Sequence, residues 1–303
     1  MGRVVVVGSY NADLTVVGPR LPAPGETVLG RAFTIGPGGK GSNQAIGARR
    51  LGADVTLVAK LGDDAFGAAG RELFAREGLV GPGLLTAPTH TGVALIVVDD
   101  RGRNMIAVAP GANAQLTGED VAGIAGLFDG ASHLLCQLEC PLEVFVRAAG
   151  LARARGAITI LDPAPAVPLT DDVLRSVDVL TPNETELATL TGAPVATERD
   201  VAAAARSLVR RGAGRVVVTL GERGAVCVGR DGVFVVPAVP VTAVDATGAG
   251  DAFNAGLAAG LAAGEDLGAA LALAARAGAY CAARSGVLEG LASRDVLDRE
   301  LPR

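Results

Sequence analysis

Tryptophan is absent from this 303-residue chain, tyrosine and histidine occur twice each, and aromatics make up 3% of it. A site that holds a nucleoside base by aromatic stacking has little to draw on. Lysine is almost as scarce: Lys40 and Lys60 stand alone beside 25 arginines. An anionic substrate must then be held by backbone amides, helix termini, a metal or a few arginines. Acidic residues exceed basic ones, 32 to 27, and the resulting charge of −5 argues against a nucleic-acid partner. Apolar runs are short; Val4–Val7 and Val233–Val236 fall far below the ~18 residues of a membrane helix, so no membrane partner is expected. The opening MGRVVVVGSYNAD lacks an export signal's apolar length and small-residue cleavage site, which points to the cytoplasm. Four cysteines (Cys136, Cys140, Cys227, Cys281) lack the spacing of a disulfide or zinc framework. His133, Cys136 and Cys140 lie close together without a fourth ligand nearby, and read as thiols of a reduced interior.

What is present is half apolar and only 19% charged, which excludes extensive disorder. Short β-branched runs alternate with alanine- and leucine-rich helical stretches, the mark of α/β architecture. Strands are predicted at Arg3–Gly8, Asp54–Lys60, His133–Leu138, Ala157–Leu161, Asp178–Leu180 and Arg215–Leu220, with a hairpin over 224–236. Helices are predicted near 42–51, 65–76, 141–155, 184–190, 198–211, 249–263 and 267–283, the last two closing the chain. Two strand pairs interrupt this rhythm: 14–17 with 27–35, and 92–99 with 104–109 across the turn residues Asp99–Gly102. A small β excursion from the main sheet accounts for both, as a lid, an oligomer surface or a plain edge hairpin. The expected organisation is one α/β domain over 1–303, with a lid formed by about 13–36 and 91–110.

Several segments carry chemistry. Gly36-Pro-Gly-Gly-Lys-Gly41 fits G-x-G-x-x-G and opens a helix, but it follows an excursion strand instead of the first strand, so the dinucleotide reading is weak. Four glycines in six residues still bring backbone close to something. In Val244-Asp-Ala-Thr-Gly-Ala-Gly-Asp-Ala-Phe253 a small-residue turn enters an alanine-rich helix, so free amides and the positive helix end converge on an anion site that needs no lysine. Asp251 there is an N-cap or a base. Thr181-Pro-Asn-Glu-Thr-Glu186 reads as a helix start, with Thr181 and Glu184 as a capping box and Pro182 at the first helical position. Asn183 and Glu186 then share a face able to hold hydrated Mg²⁺ through water. Asn11, Asp13, Glu139 and the loop Thr219–Gly224 follow strands, at the edge where α/β sheets bind ligands; each alone is also a turn former.

With these residues in view, the chain resembles the ribokinase family of sugar kinases along essentially its whole length. The segments that carry the resemblance are Gly8–Asp13, Pro24–Thr27, Gly38–Ala45, Thr91–Ala94, Gly111–Ala114, Gln137–Glu139, Asn183–Glu186 and Asp245–Phe253, with GGKGSNQA and DATGAGDAF in this order the most specific. The resemblance implies a ribokinase-like fold, a central mostly parallel sheet flanked by helices on both faces, with a small β lid that pairs two subunits into a homodimer. It implies Asn11, Asp13, Gly39, Lys40, Asn43 and Glu139 as sugar contacts, and Asp251 as the base at the primary hydroxyl. Gly248, Ala249 and Gly250 resemble the anion hole; Asn183, Thr219, Gly221, Gly224 and Gly250 resemble nucleotide contacts. Glu186 corresponds to the Mg²⁺ region, and Asp245 and Thr247 to two ligands of an activating K⁺. The tail Gly286-Val-Leu-Glu-Gly-Leu-Ala292 stands where the family has a Gly-Ala-x-x-Ser-hydrophobic-Pro run. The implied reaction is transfer of the ATP γ-phosphoryl group to O5 of D-ribose, with 2-deoxyribose, fructose or a nucleoside as alternative acceptors. An NAD-dependent oxidoreductase and a non-catalytic sugar or nucleotide sensor are the readings from other classes.

Overall fold

Four consecutive valines, Val4–Val7, each at most 1% exposed, form the centre of the fold. Strand side chains alternate between faces, so such a run suits a strand covered on both sides. Val4 and Val6 join one core with Ile46, Leu257 and Leu271, while Val5 and Val7 join a second with Phe128, Phe145 and Leu208. A computed structural model describes residues 2–301. Its strands are β1 (Arg3–Val7), β2 (Asn11–Val17), β3 (Ala32–Gly38), β4 (Asp54–Gly62), β5 (Leu84–Ala87), β6 (Gly92–Val98) and β7 (Asn104–Ala109). They continue with β8 (Ala131–Cys136), β9 (Ile158–Leu161), β10 (Val179–Leu180), β11 (Arg215–Thr219), β12 (Ala225–Gly229) and β13 (Gly232–Val236).

The main sheet runs β13-β12-β11-β10-β9-β8-β1-β4-β5, parallel from β11 to β5 and closed at one edge by the antiparallel β12–β13 hairpin. From β1 the chain builds outward through β4 to β5, then returns to place β8 on the other side of β1. This reversal opens a crevice beyond the carboxyl ends of β1 and β8. Helices Lys40–Arg50, Ala249–Ala262 and Leu267–Ala282 supply the first core; Leu142–Arg153 and Glu198–Arg211 supply the second. No helix among the described residues is long and apolar enough to cross a membrane.

The second sheet, β3-β2-β6-β7, is the lid. Register puts Asp13 opposite Gly36 and Ala94, whereas Phe33, Ile35, Leu95 and Met105 belong to the other face and are each more than half exposed. The first lid pair begins and ends differently from its sequence reading. β2 starts at Asn11, and β3 covers 32–38 in place of 27–35, since an edge strand tolerates Pro37. The four-residue β5 and the terminal helices Val287–Gly290 and Arg294–Glu300 have too few residues to show a period, so the chain does not close on the two long helices.

Candidate active site

Two glycine-rich turns meet in the crevice. Gly39 has φ of 88°, and a Cβ on it would lie 2.7 Å from Asn11 N and Tyr10 Cα, so only glycine lets the two backbones touch. The turn enters helix Lys40–Arg50. Gly36 and Gly38 lie in an edge strand of the lid, which removes the structural basis of the dinucleotide motif. Ser42 N donates to Ser9 O (2.8 Å), and the Ser9 hydroxyl donates to Glu139 Oε2 (2.5 Å). The same carboxylate oxygen accepts from Lys40 N (2.9 Å). Glu139 therefore ties together the segments following β1, β3 and β8. Asn113 Nδ2 donates to Asn11 Oδ1 (2.8 Å) while its amide also brackets the Tyr10 backbone, which leaves the Asn11 amide nitrogen for a ligand.

The second turn enters helix Ala249–Ala262. Gly248 is its N-cap, with φ of 78° and no side-chain cap. Asp251 is thus inside the first turn and is not the cap, which corrects that alternative. The amides of Gly248 and Gly250 fall among the helix-end donors without an intrahelical acceptor, whereas Ala249 N reaches Ala246 O at 3.2 Å. Asp251 is buried. Its Oδ2 accepts from Asn43 Nδ2 (2.8 Å), its Oδ1 accepts from Gln44 Nε2 (3.0 Å), and Lys40 Nζ stands 3.8 Å from Oδ1. Asp251, and then Asp162 and the other carboxylates, hold the Lys40 ammonium well above its usual range against the opposing effect of burial. Asp13 is pushed up to about 7, first by burial and then by Glu139 and Asp251. Asp162 is pushed up to about 8 by burial.

Beyond this turn lies a pocket of about 490 Å³ bounded by Thr219, Gly221, Gly224, Pro240, Phe253 and Ala279, with Gly250 on its rim toward Asp251. Thr219 ends β11, Gly221 follows it, and Gly224 precedes β12. Asn183 is outside the pocket lining; it is exposed and bridges to Thr219. The capping box is formed by Asn183 and Glu186, through Glu186 N to Asn183 Oδ1 and Asn183 N to Glu186 Oε2, both 2.8 Å. This corrects the Thr181–Glu184 assignment and moves Pro182 ahead of the helix. Thr181 is buried and donates instead to Asn254 Oδ1 at 2.7 Å. Burial raises the Glu186 carboxyl above its usual range, with Asp251 adding to the effect. Asp245 Oδ1 accepts from Thr247 N (2.9 Å) in the turn before Gly248. All four cysteines are unpaired and buried.

The sequence reading assigned no role to Gln44, Asn113, Gln137 or Asp162, although the first three lie within its motifs. Asp162 directly follows β9, so the rule that singled out Glu139 behind β8 finds it as well.

The pfkB family carbohydrate kinase model matches residues 1–294. The chain belongs to this family of carbohydrate kinases. It is 36% identical over 293 residues to ribokinase of Haemophilus influenzae, covering 96% of this chain and 95% of that one. It is 40% identical over 252 residues to deoxyribokinase of Salmonella typhi, covering 82% of each. Among solved structures, ribokinase of Arabidopsis thaliana complexed with ribose and ATP superposes with a TM-score of 0.91 at 30% identity, covering 100% and 99%. The kinase is therefore a sugar kinase whose lid and main sheet follow the family fold.

Proposed function

We propose that the kinase transfers the γ-phosphoryl group of ATP to O5 of D-ribose, giving ribose 5-phosphate and ADP. The observation that carries this reading is the position of Asp251. It is a buried carboxylate between a cleft lined by hydrogen-bonding groups and an apolar pocket, on the first turn of a helix whose Gly248 and Gly250 amides have no intrahelical acceptor. Asn11, Asp13, Gly39, Lys40, Asn43 and Glu139 orient the sugar. Asp251 accepts the O5 proton as the phosphoryl group arrives. Positioning and electrostatics supply most of the acceleration in such a loose transition state. Amides at 248–250 stabilise charge on the γ-oxygens, with Ala249 the weakest donor because of its bond to Ala246. Asn183, Thr219, Gly221, Gly224 and Gly250 border the nucleotide.

Glu186 keeps Oε1 outside its capping bond, which suits an ion held through water. Mg²⁺ bound there with ATP neutralises phosphate charge. Asp245 and Thr247 offer hard oxygens to K⁺. The tail carbonyls of Gly286, Leu288 and Leu291 already accept hydrogen bonds, so the tail contributes less to that site. Residues 1–303 form one α/β domain with 13–36 and 91–110 as its lid. The apolar lid face opposite Asp13 supports a homodimer, and ATP use with four free thiols suits the cytoplasm.

The 40% identity to a deoxyribokinase favours 2-deoxyribose as a second acceptor. ADP release with ribose, 2-deoxyribose, fructose and adenosine, each with ATP, Mg²⁺ and K⁺, tests both readings. Ribose turnover with KM below about 1 mM and the highest kcat/KM is expected. Preference for 2-deoxyribose installs the second reading; preference for fructose or adenosine overturns the sugar contacts. Silence with all four overturns the catalytic reading.

A further inference from the structure

Gln44 is completely buried on helix Lys40–Arg50, and its side-chain nitrogen bridges two carboxylates. Nε2 donates to Asp162 Oδ2 at 2.7 Å and to Asp251 Oδ1 at 3.0 Å. Its oxygen accepts from Gln137 Nε2 at 2.5 Å. The chain thus joins residues after β8 and β9 to the first turn of helix Ala249–Ala262. Asp162 is 4% exposed and, among the described residues, has no salt-bridge partner within 4 Å. A buried acid without an ion pair is costly to a fold, so packing alone gives no reason for it.

We propose that Asp162 is a positioning residue which, through Gln44, fixes the Asp251 carboxylate in the orientation from which it accepts the sugar proton. Asn43 holds the other oxygen of Asp251, so the base is set before substrate arrives. Burial pushes the Asp162 carboxyl up toward its neutral form; Lys40 opposes this, while Asp251 and Glu186 reinforce it. A neutral side chain with an acceptor oxygen therefore serves in its place. The inference rests on Asp251 being the base.

The test measures kcat and sugar KM for Asp162→Ala, Asp162→Asn and Gln44→Met, with Asp251→Asn alongside. Asp162→Ala is expected to lower kcat about 10–100-fold, with sugar KM within about threefold. Asp162→Asn recovers most of that loss by accepting from Gln44. Gln44→Met reproduces the Asp162→Ala loss, and combining the two adds little. If Asp162→Ala does not fold, Gln44→Met against Asp162→Asn carries the same comparison. Retention of kcat within about twofold by Asp162→Ala or Gln44→Met, while Asp251→Asn is inactive, overturns the positioning role and leaves the base intact. Failure of Asp162→Asn to recover activity overturns it too. Normal kcat in Asp251→Asn removes the base itself, and the positioning role with it.

Discussion

Replacing Asp13 by Asn should make the kinase more stable and a poorer sugar binder, with both effects growing with pH. Burial, reinforced by Glu139 and Asp251, pushes the Asp13 carboxyl from its ordinary 3.8 up to about 7. Between those two values the folded protein holds a proton that the unfolded chain has released. Stability therefore falls as pH rises from about 4 to about 7 and levels off above. About three units at 1.4 kcal/mol each set an upper bound of roughly 4 kcal/mol. Asp13 is only partly buried and borders an open cleft, so screening reduces the working figure to roughly 2 kcal/mol. In a chain of this size that corresponds to about 4 °C in Tm. Thermal melts of wild type and Asp13→Asn should nearly coincide at pH 4 and separate by about that amount at pH 8.5, the variant melting higher. Sugar KM should rise about tenfold at pH 8.5 and less at pH 4, because an amide lacks the charge with which the carboxylate accepts from a hydroxyl. An equal Tm difference at both pH values would refute the argument, since a packing effect does not follow proton binding.

Asp251→Asn should lower kcat by about 10²–10⁴-fold in steady-state assays with little change in sugar KM; an equal rise in KM would mark it as a binding residue. Gly248→Ala forces φ of 78° on a residue with a side chain and sets its methyl 2.5 Å from Val287 Cγ1. A loss of about 1–2 kcal/mol from the backbone alone is expected by denaturant titration, with Val287→Ala relieving only the additional steric part. A Leu95→Glu change on the outer lid face should convert a dimer to a monomer in sedimentation velocity, whereas the same change at exposed Val146 should not.

Local signals were readable. The valine run of β1 announces a strand covered on both faces. Helices 65–76 and 198–211 fall within their predicted limits because Asp64, and Thr197 with Asp200, cap them from adjacent sequence. Where two N-terminal boxes overlap, at Thr181–Glu184 and Asn183–Glu186, adjacent sequence does not decide. The choice is made by Asn254, 73 residues away, which engages Thr181. The assembly around Asp251 was only partly legible. Strand ends marked Glu139 and the family resemblance marked Lys40 and Asn43, but Gln44 meets Asp162 across 118 residues and Asp251 across 207. Such a bridge exists only once the sheet order places β8 and β9 beside the two helices.

The scarcity of lysine leaves this chain with few amines that an acylating reagent can attack. Apart from the chain's α-amine, an acylating reagent has two targets, and Lys60 is bound to Asp120 at 2.7 Å with its side chain 14% exposed. The Lys40 side chain is 31% exposed on the cleft wall. Asp251 keeps the Lys40 nitrogen as an ammonium, which has no lone pair to attack with, so acylation of Lys40 counted by mass spectrometry should rise when that carboxylate is removed and would report the state of the pair without any turnover.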